Sequence, residues 1–460
     1  MRRRVLAGVV AGLGLVGCTV GPNYKRPPVT VPGQFYGSDP AVAEARSLAD
    51  VPWWDVFKDP VLKALVDEAL AKGFDARLAA ARVEEARALY GVARGDLLPS
   101  VGVNGGFSRT RIDQVTIPDQ TIQTKWTAEG GFRWELDLFG RIRRQTEAAR
   151  ALYFASEEAR RGVLLALVSD VAIAYFELRE LDAELAIAKR TTAAFQDTFD
   201  LFDRQLRGGA VSALETARAE ASLGQVAAQI PEIERAIVAK ENQINFLLGR
   251  NPQPIAREGD TPVPPDVPAG LPAALLERRP DIRQAEQRLV AANAGVGVAK
   301  AAYFPTLSLT GYYGNVSSDL GEIFSGGKTY QFAAGLLGPL FSAGQIKKNH
   351  QASKARYEQA AVQYDASIAN AFREVSGTLV DRTKLVETER QRARAVRAYQ
   401  EAVRLANLRY KSGLSAYFEV LDAQQALFPA EISLARTHLD QLVAVANLYK
   451  ALGGGWQAEH

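Results

Sequence analysis

Lys125-Trp126-Thr127-Ala128-Glu129-Gly130-Gly131-Phe132-Arg133-Trp134-Glu135-Leu136-Asp137-Leu138-Phe139-Gly140 alternates with a period of two. Trp126, Ala128, Gly130, Phe132, Trp134, Leu136 and Leu138 fall on one side, and Thr127, Glu129, Gly131, Arg133, Glu135 and Asp137 on the other. That period belongs to a β-strand. An apolar, aromatic face opposite a charged one suits a strand set between lipid and a watery lumen. A second strand starts upstream at Pro99, with Val101, Val103, Gly105 and Phe107 alternating against small or polar residues.

The strands are flanked by helical runs without proline, Arg141–Gln205 and Gln345–Lys411. Leu164, Val168, Val171, Tyr175 and Leu178 follow the 4-3 spacing of coiled-coil packing. A helix of that length spans roughly 95 Å. Such helices do not make a compact globule and suggest a bundle bridging a distance.

The chain repeats itself, and repeats organise the rest of the reading. Asp75, Arg77, Arg82, Gly91, Ala93, Pro99 and Gly105 recur as Asp281, Arg283, Arg288, Gly297, Ala299, Pro305 and Gly311, 206 residues on. Ile142, Ala151, Tyr153, Leu181, Leu201, Gly209, Glu215, Leu248 and Gly249 recur 204 residues on, from Ile346 to Gly453. The difference falls among polar residues, where a loop accepts it at little cost. Each unit reads as helix, strand, loop, strand, long helix, turn, long helix. A third strand starts at Pro305, and a fourth runs near Tyr330 to Leu340. Arg109–Thr124 and Gly314–Thr329 read as loops. Seven prolines in Asn251–Pro272 separate the units. The expected division is signal peptide 1–17, lipidated extended segment 18–57, first repeat 58–250, linker 251–271, second repeat 272–454 and tail 455–460. Four strands cannot close a barrel, and an open edge in lipid leaves backbone groups unpaired at several kcal/mol each. Several copies are therefore expected to share one barrel.

Arg2, Arg3 and Arg4 precede an apolar stretch, Val5–Gly17, and the only cysteine, Cys18. This is the pattern of a signal peptide. Leu15-Val16-Gly17-Cys18 resembles a lipoprotein lipobox, which implies S-diacylglycerol and N-acyl groups on Cys18. Thr19 follows, not the Asp that retains such lipoproteins at the inner membrane, so the resemblance implies the outer membrane. Without the three arginines the rest carries 52 basic and 52 acidic residues, which argues against a nucleic-acid partner. No run of eighteen apolar residues suggests a membrane-spanning helix.

Enzyme readings fail on spacing. His350, His438 and His460 lie far apart, and no G-x-S-x-G elbow occurs. Gly12-x-Gly14-x-x-Gly17 falls in the signal segment. Gly326-Gly327-Lys328-Thr329 lacks the first glycine of a phosphate loop and leads into a strand. No cofactor and no bound metal is expected. The only methionine is Met1, so a methionine relay for soft metals is missing.

Cys18-Thr19-Val20-Gly21-Pro22-Asn23-Tyr24-Lys25-Arg26-Pro27, Leu275-Leu276-Glu277-Arg278-Arg279-Pro280-Asp281-Ile282 and Ala299-Lys300-Ala301-Ala302-Tyr303-Phe304-Pro305 together resemble signatures of the TolC-like outer membrane factor family, NodT-type efflux lipoproteins. The resemblance runs from Cys18 to about Trp456. It implies an α+β membrane protein and a homotrimer: a twelve-stranded outer-membrane β-barrel, four strands per chain, continued by a long periplasmic α-helical barrel. It implies a passive exit duct for small molecules, working with a periplasmic adaptor protein and an inner-membrane pump. A periplasm-spanning structural lipoprotein, and channels for protein or metal-ion export, are the competing readings.

Three residue groups follow. The helix-to-helix turns carry Gly209, Val211 and Ser212, and Gly413, Leu414 and Ser415. Their glycines and serines suit helix ends and caps, and the resemblance implies that they meet the adaptor. Glu419 and Asp422 share a helix face. They suit a helix N-terminus, and the resemblance implies an acidic ring at a pore constriction. Glu215 stands at the matching place in the first unit, but Arg218 replaces the second acid. Phe107, Trp126, Trp134, Tyr312 and Tyr313 are candidates for the aromatic girdle that contacts outer-membrane lipid.

Overall fold

The computed structural model describes residues 19–37, 47–50, 52–111, 122–257 and 272–454. The signal segment, Cys18, most of the linker and the tail 455–460 lie outside the described residues. In chain order the elements are α1 (Trp53–Phe57), α2 (Pro60–Lys72), α3 (Phe74–Gly95), β1 (Ser100–Arg111), β2 (Ile122–Leu136), α4 (Arg141–Arg207), α5 (Ala213–Ala227), α6 (Gln229–Leu247), α7 (Leu275–Arg278), α8 (Pro280–Ala301), β3 (Thr306–Ser317), β4 (Gly327–Leu337), α9 (Gln345–Lys411) and α10 (Phe418–Ala451). None of the described helices is long and apolar enough to cross a membrane. Two compact units emerge, one of Met1–Pro28, Arg82–Glu157 and Gln284–Ala366, the other of Val29–Ala81, Glu158–Arg283 and Ser367–His460.

The first unit holds an antiparallel four-stranded sheet in the order β1-β2-β3-β4. Trp126 pairs with Phe107, Phe132 with Val101 and Gly311, Trp134 with Leu309, and Tyr313 with Tyr330. Directly opposed residues project to the same side of a sheet, so the register sorts every side chain. One face carries Val101, Val103, Phe107, Trp126, Phe132, Trp134, Leu307, Leu309, Tyr313, Tyr330, Phe332 and Leu336. The other carries Asn104, Ser108, Thr127, Glu129, Arg133, Glu135, Ser308, Thr310, Thr329 and Gln331. The apolar face is uncovered along its outer strands, where Val103 is 94% exposed and Phe332 72%, and half-buried along β2 and β3. Soluble chains rarely present so large an apolar surface. Along β2 the band from Leu136 to Trp126 measures about 33 Å, or about 25 Å after a typical strand tilt, the height of a membrane-barrel band.

The strands run on past that band. Arg111, Asn315 and Ser317 belong to the ladder, so the loops read at Arg109–Thr124 and Gly314–Thr329 begin later than their polarity suggests. Backbone pairing does not depend on an apolar side chain, and the polar residues mark where the lipid face ends. At the helix side, β2 stops at Leu136 and β4 at Leu337, short of Leu138 and Leu340. Two arginines explain the first stop. Arg141 grips Glu135 at 2.8 and 3.0 Å, and Arg143 meets Asp137 at 3.2 Å. Gly140, at φ +78°, lets the chain turn into α4 between them.

Residues 19–28 lie extended within the first unit, held by side chains of its helices. Arg144, 3% exposed, donates to the carbonyl oxygen of Val20 and to Asn23 Oδ1. Arg26 pairs with Glu286 at 2.6 and 2.7 Å. Gly21 abuts Gly297 so closely that a Cβ would stand 2.5 Å from its Cα. Further along, part of the segment 18–57 read as extended is helical, as α1.

In the second unit Val171, Tyr175 and Leu178 are fully buried, while Leu164 and Val168 higher in the same 4-3 row are only half-buried. Arg279 of the second family signature is buried and donates to both Asp281 oxygens, to Glu374 and to the carbonyl oxygen of Ala451. It ties the start of α8 to the end of α10. The helix expected after the first turn is two helices, α5 and α6, parted at Ala228. Pro231 lacks the N–H that would continue the ladder and crowds the carbonyl four residues back.

Candidate functional site

The two helix-hairpin turns lie in the second unit. At α4, Gly209 has φ +70°, its N–H bonds to the carbonyl of Leu206 at 2.9 Å, and Ala210 N–H reaches Gln205 at 2.8 Å. At α9, Gly413 repeats this with φ +70° and bonds of 2.9 Å from Gly413 to Tyr410 and from Leu414 to Arg409. Both are Schellman ends, which need the left-handed conformation that glycine adopts without penalty. Open space surrounds both positions, so a side chain there meets backbone strain, not a clash.

The helices leaving the turns start differently. Ser212 caps α5, its backbone N–H donating to Glu215 at 2.8 Å. In the second repeat Ala416 stands where Ser212 stands in the first, so no equivalent cap forms. Ser415 does not cap α10, which starts at Phe418, and its hydroxyl is buried without a hydrogen-bond partner. Glu419, the counterpart of Glu215, reaches back instead across the turn to Arg409, at 3.0 and 3.3 Å. Asp422 is exposed. Of the two acids expected to line a constriction, the structure pairs Glu419 within the chain and leaves Asp422 facing solvent.

A cluster that sequence reasoning missed closes the hairpins on each other. Tyr417 packs edge-on against Phe202 at 4.9 Å and against Tyr410 at 4.8 Å. Its hydroxyl lies 2.6 Å from Thr198 Oγ1. Thr198 already gives its single proton to the carbonyl of Ala194, so Tyr417 is the donor. Burial pushes the Tyr417 phenol above its ordinary value. Gln205 donates to the Tyr410 hydroxyl at 3.3 Å, and Gln425 to Ser222 at 2.7 Å. Beneath this layer Phe195, Val226 and Leu421 form an apolar core. Leu214, Leu414 and Phe418 stay exposed around the turns, with Arg218 over the Phe418 ring at 5.9 Å.

In the sheet, Phe107, Trp126, Trp134 and Tyr313 share the apolar face. The Phe107 and Trp126 rings lie 4.4 Å apart, and the Trp134 indole N–H bonds to the carbonyl of Leu97 at 3.0 Å. Tyr312 does not join them. It opposes Gly131 and Gln331 on the polar face, because consecutive residues of a strand point to opposite sides. Thr19, next to Cys18, packs against Gly140, and Val20 N–H bonds to Phe139 O at 3.1 Å. The chain leaving Cys18 is thus fixed at the junction of β2 and α4.

A family model described as outer membrane efflux protein matches residues 65–250 and 271–454. The probable efflux pump outer membrane protein TtgC of Pseudomonas putida is 36% identical, covering 99% of this chain and 96% of its own length. The cation efflux system protein CusC of Escherichia coli is 34% identical, covering 97% of each. The open state of the MtrE outer membrane channel of Neisseria gonorrhoeae superposes with a TM-score of 0.83 at 32% identity, covering 95% of this chain and 98% of that one.

Proposed function

The chain belongs to the outer membrane efflux protein family, and from that membership we propose that it is the passive outer-membrane duct of a tripartite export system. Three copies join their four-stranded sheets into one twelve-stranded barrel, and the helices form the periplasmic part. The observation that carries this reading is the sheet itself. It has one apolar face, one polar face, and two edges, β1 and β4, unpaired among the described residues. Pairing β4 of one copy with β1 of the next removes every edge.

Energy and cargo choice come from the partners, and the chain performs no catalysis. The turns at Gly209 and Gly413, with exposed Leu214, Leu414 and Phe418, are the surface for a periplasmic adaptor protein. The Tyr417 cluster and the Arg409–Glu419 pair hold the hairpins together until the adaptor engages. Asp422, three copies around the axis, supplies the acidic ring. Cys18 carries the acyl groups, and its neighbour Thr19 at the β2–α4 junction supports their placement at the inner boundary of the outer membrane. The cargo is small toxic organic molecules, in keeping with Met1 being the only methionine.

Dye accumulation tests this. Cells lacking the gene should retain ethidium, and the wild-type chain should restore its export. Retention unchanged by the wild-type chain, at normal outer-membrane levels, would remove the efflux reading.

A further inference from the structure

A cavity of about 470 Å³ opens between α4, α9 and α10 within the second unit. This is the size of pockets that enclose a drug-sized molecule. Its walls are apolar, with Phe176, Ile187, Val396 and Leu434 prominent. The polar groups at its edge are mostly engaged. Glu431 takes Arg190 at 2.6 Å, and Glu389 accepts from Gln441 at 2.7 Å and faces His438 Nδ1 at 3.7 Å.

Glu180 is different. Its side chain is nine-tenths buried and lines the cavity. Its Oε1 is buried without a hydrogen-bond partner. Of the arginines around it, Arg190 serves Glu431 and Arg179 donates to the Tyr175 hydroxyl at 3.2 Å, while Arg436 gives its 2.6 Å bond to Glu184 and stands 3.8 Å from Glu180. One cation therefore serves two buried carboxylates, and Asp440 adds further negative charge from α10. A buried acid left in this state either keeps its proton or needs another cation. Burial, the hydrogen bond with Glu184 and the repulsion of Glu184 push the Glu180 carboxyl up to about 8.

We propose that this cavity binds amphiphilic organic cations, the apolar body lying against Phe176, Ile187, Val396 and Leu434 and the positive group meeting the Glu180 carboxylate. An apolar cation satisfies both halves of the site, since it fills the walls and supplies the missing counter-charge. A neutral molecule of the same shape leaves Glu180 protonated and gains only the walls. Small hydrated cations gain only the charge. The site is separate from the hairpin turns, and its occupancy does not depend on the chain exporting anything.

Isothermal titration of tetraphenylphosphonium into the full-length detergent-purified protein, against a detergent blank, tests the proposal. One ion per chain should bind, and affinity should rise about tenfold or more from about pH 6.5 to about pH 9 as Glu180 loses its proton. Glu180→Gln should lose that gain and bind about tenfold more weakly at the higher pH, and triphenylphosphine oxide should not displace the cation. No saturable binding, including through a neighbouring copy covering the cavity, would overturn the proposal. So would a flat pH response of the wild-type protein, which needs no variant, or unchanged affinity in Glu180→Gln.

Discussion

Tyr417, Arg409 and Glu419 set different tasks for a single substitution. Tyr417→Phe removes the donor that satisfies Thr198 while keeping both ring contacts, a loss of about 1 kcal/mol. The melting temperature should fall by only about one degree in a chain of this length, and closed-state conductance in planar bilayers should rise. The Arg409–Glu419 pair is about half exposed on both sides, so its net worth is about 0–1 kcal/mol. Glu419→Gln should leave stability nearly unchanged. Asp422→Asn should reduce cation selectivity more than Glu419→Gln does, because Glu419 already has a counter-ion; reversal potentials in a salt gradient read the difference. Glu180 adds a pH dependence of fixed sign. Its folded-state pKa, about 8, lies above the unfolded value near 4.5. The stability it supplies as an acid is whole below about 4.5 and is lost as pH rises to about 8. Glu180→Gln should therefore match the wild-type melting temperature near pH 4.5 and exceed it near pH 8.5. Glu419 and Asp422 could be found in the sequence as acids sharing a helix face. The Arg409 partner could not, because it lies across a turn with no periodic relation to them. Tyr417 and Thr198 meet over a separation of 219 residues, and no local pattern announces such a contact.

Strands were easier to read than helix breaks. The alternation around Phe132 and Trp134 fixes which side chains share a face, since a period of two leaves no third choice. It misplaced Tyr312 only where two tyrosines were grouped by type and not by parity. The strand ends were harder, because Arg109 to Arg111 and Asn315 to Ser317 continue the ladder without an apolar signal. Pro231 carried the information for the break between α5 and α6, but a proline inside a helix can kink it without ending it, and α10 runs unbroken through Pro429. A paired substitution probes the face assignment. Val103→Arg puts a charge mid-band on the apolar face, at about 2–4 kcal/mol, and should sharply reduce outer-membrane assembly. Thr127→Arg, on the polar face, should assemble normally; fractionation of outer membranes distinguishes the two. At the turns, Gly413→Val forces a β-branched residue to φ +70°, costing about 1–2 kcal/mol or more. Export should be lost while assembled protein remains in the membrane.

At the scale of the whole molecule the repeat is visible in backbone geometry as well as in sequence. Gly140 and Gly344 both have φ +78°, Gly209 and Gly413 both +70°, and Gly249 and Gly453 +73° and +72°. One unit of helix, hairpin strands and helical hairpin is used twice, and the two copies place β2 beside β3 in one sheet. Even so, among the described residues the sheet keeps two unpaired edges of 12 and 11 residues. The need for several copies was therefore legible from the strand count, but their number was not, since closure depends on tilt and stagger across a contact that one chain does not contain. Three chains are expected to close these edges into one barrel. Single-particle imaging of the full-length protein in detergent tests it most directly. Threefold particles with one closed barrel of twelve strands are expected. A monomer, or a ring of any other symmetry, would rule out the threefold barrel.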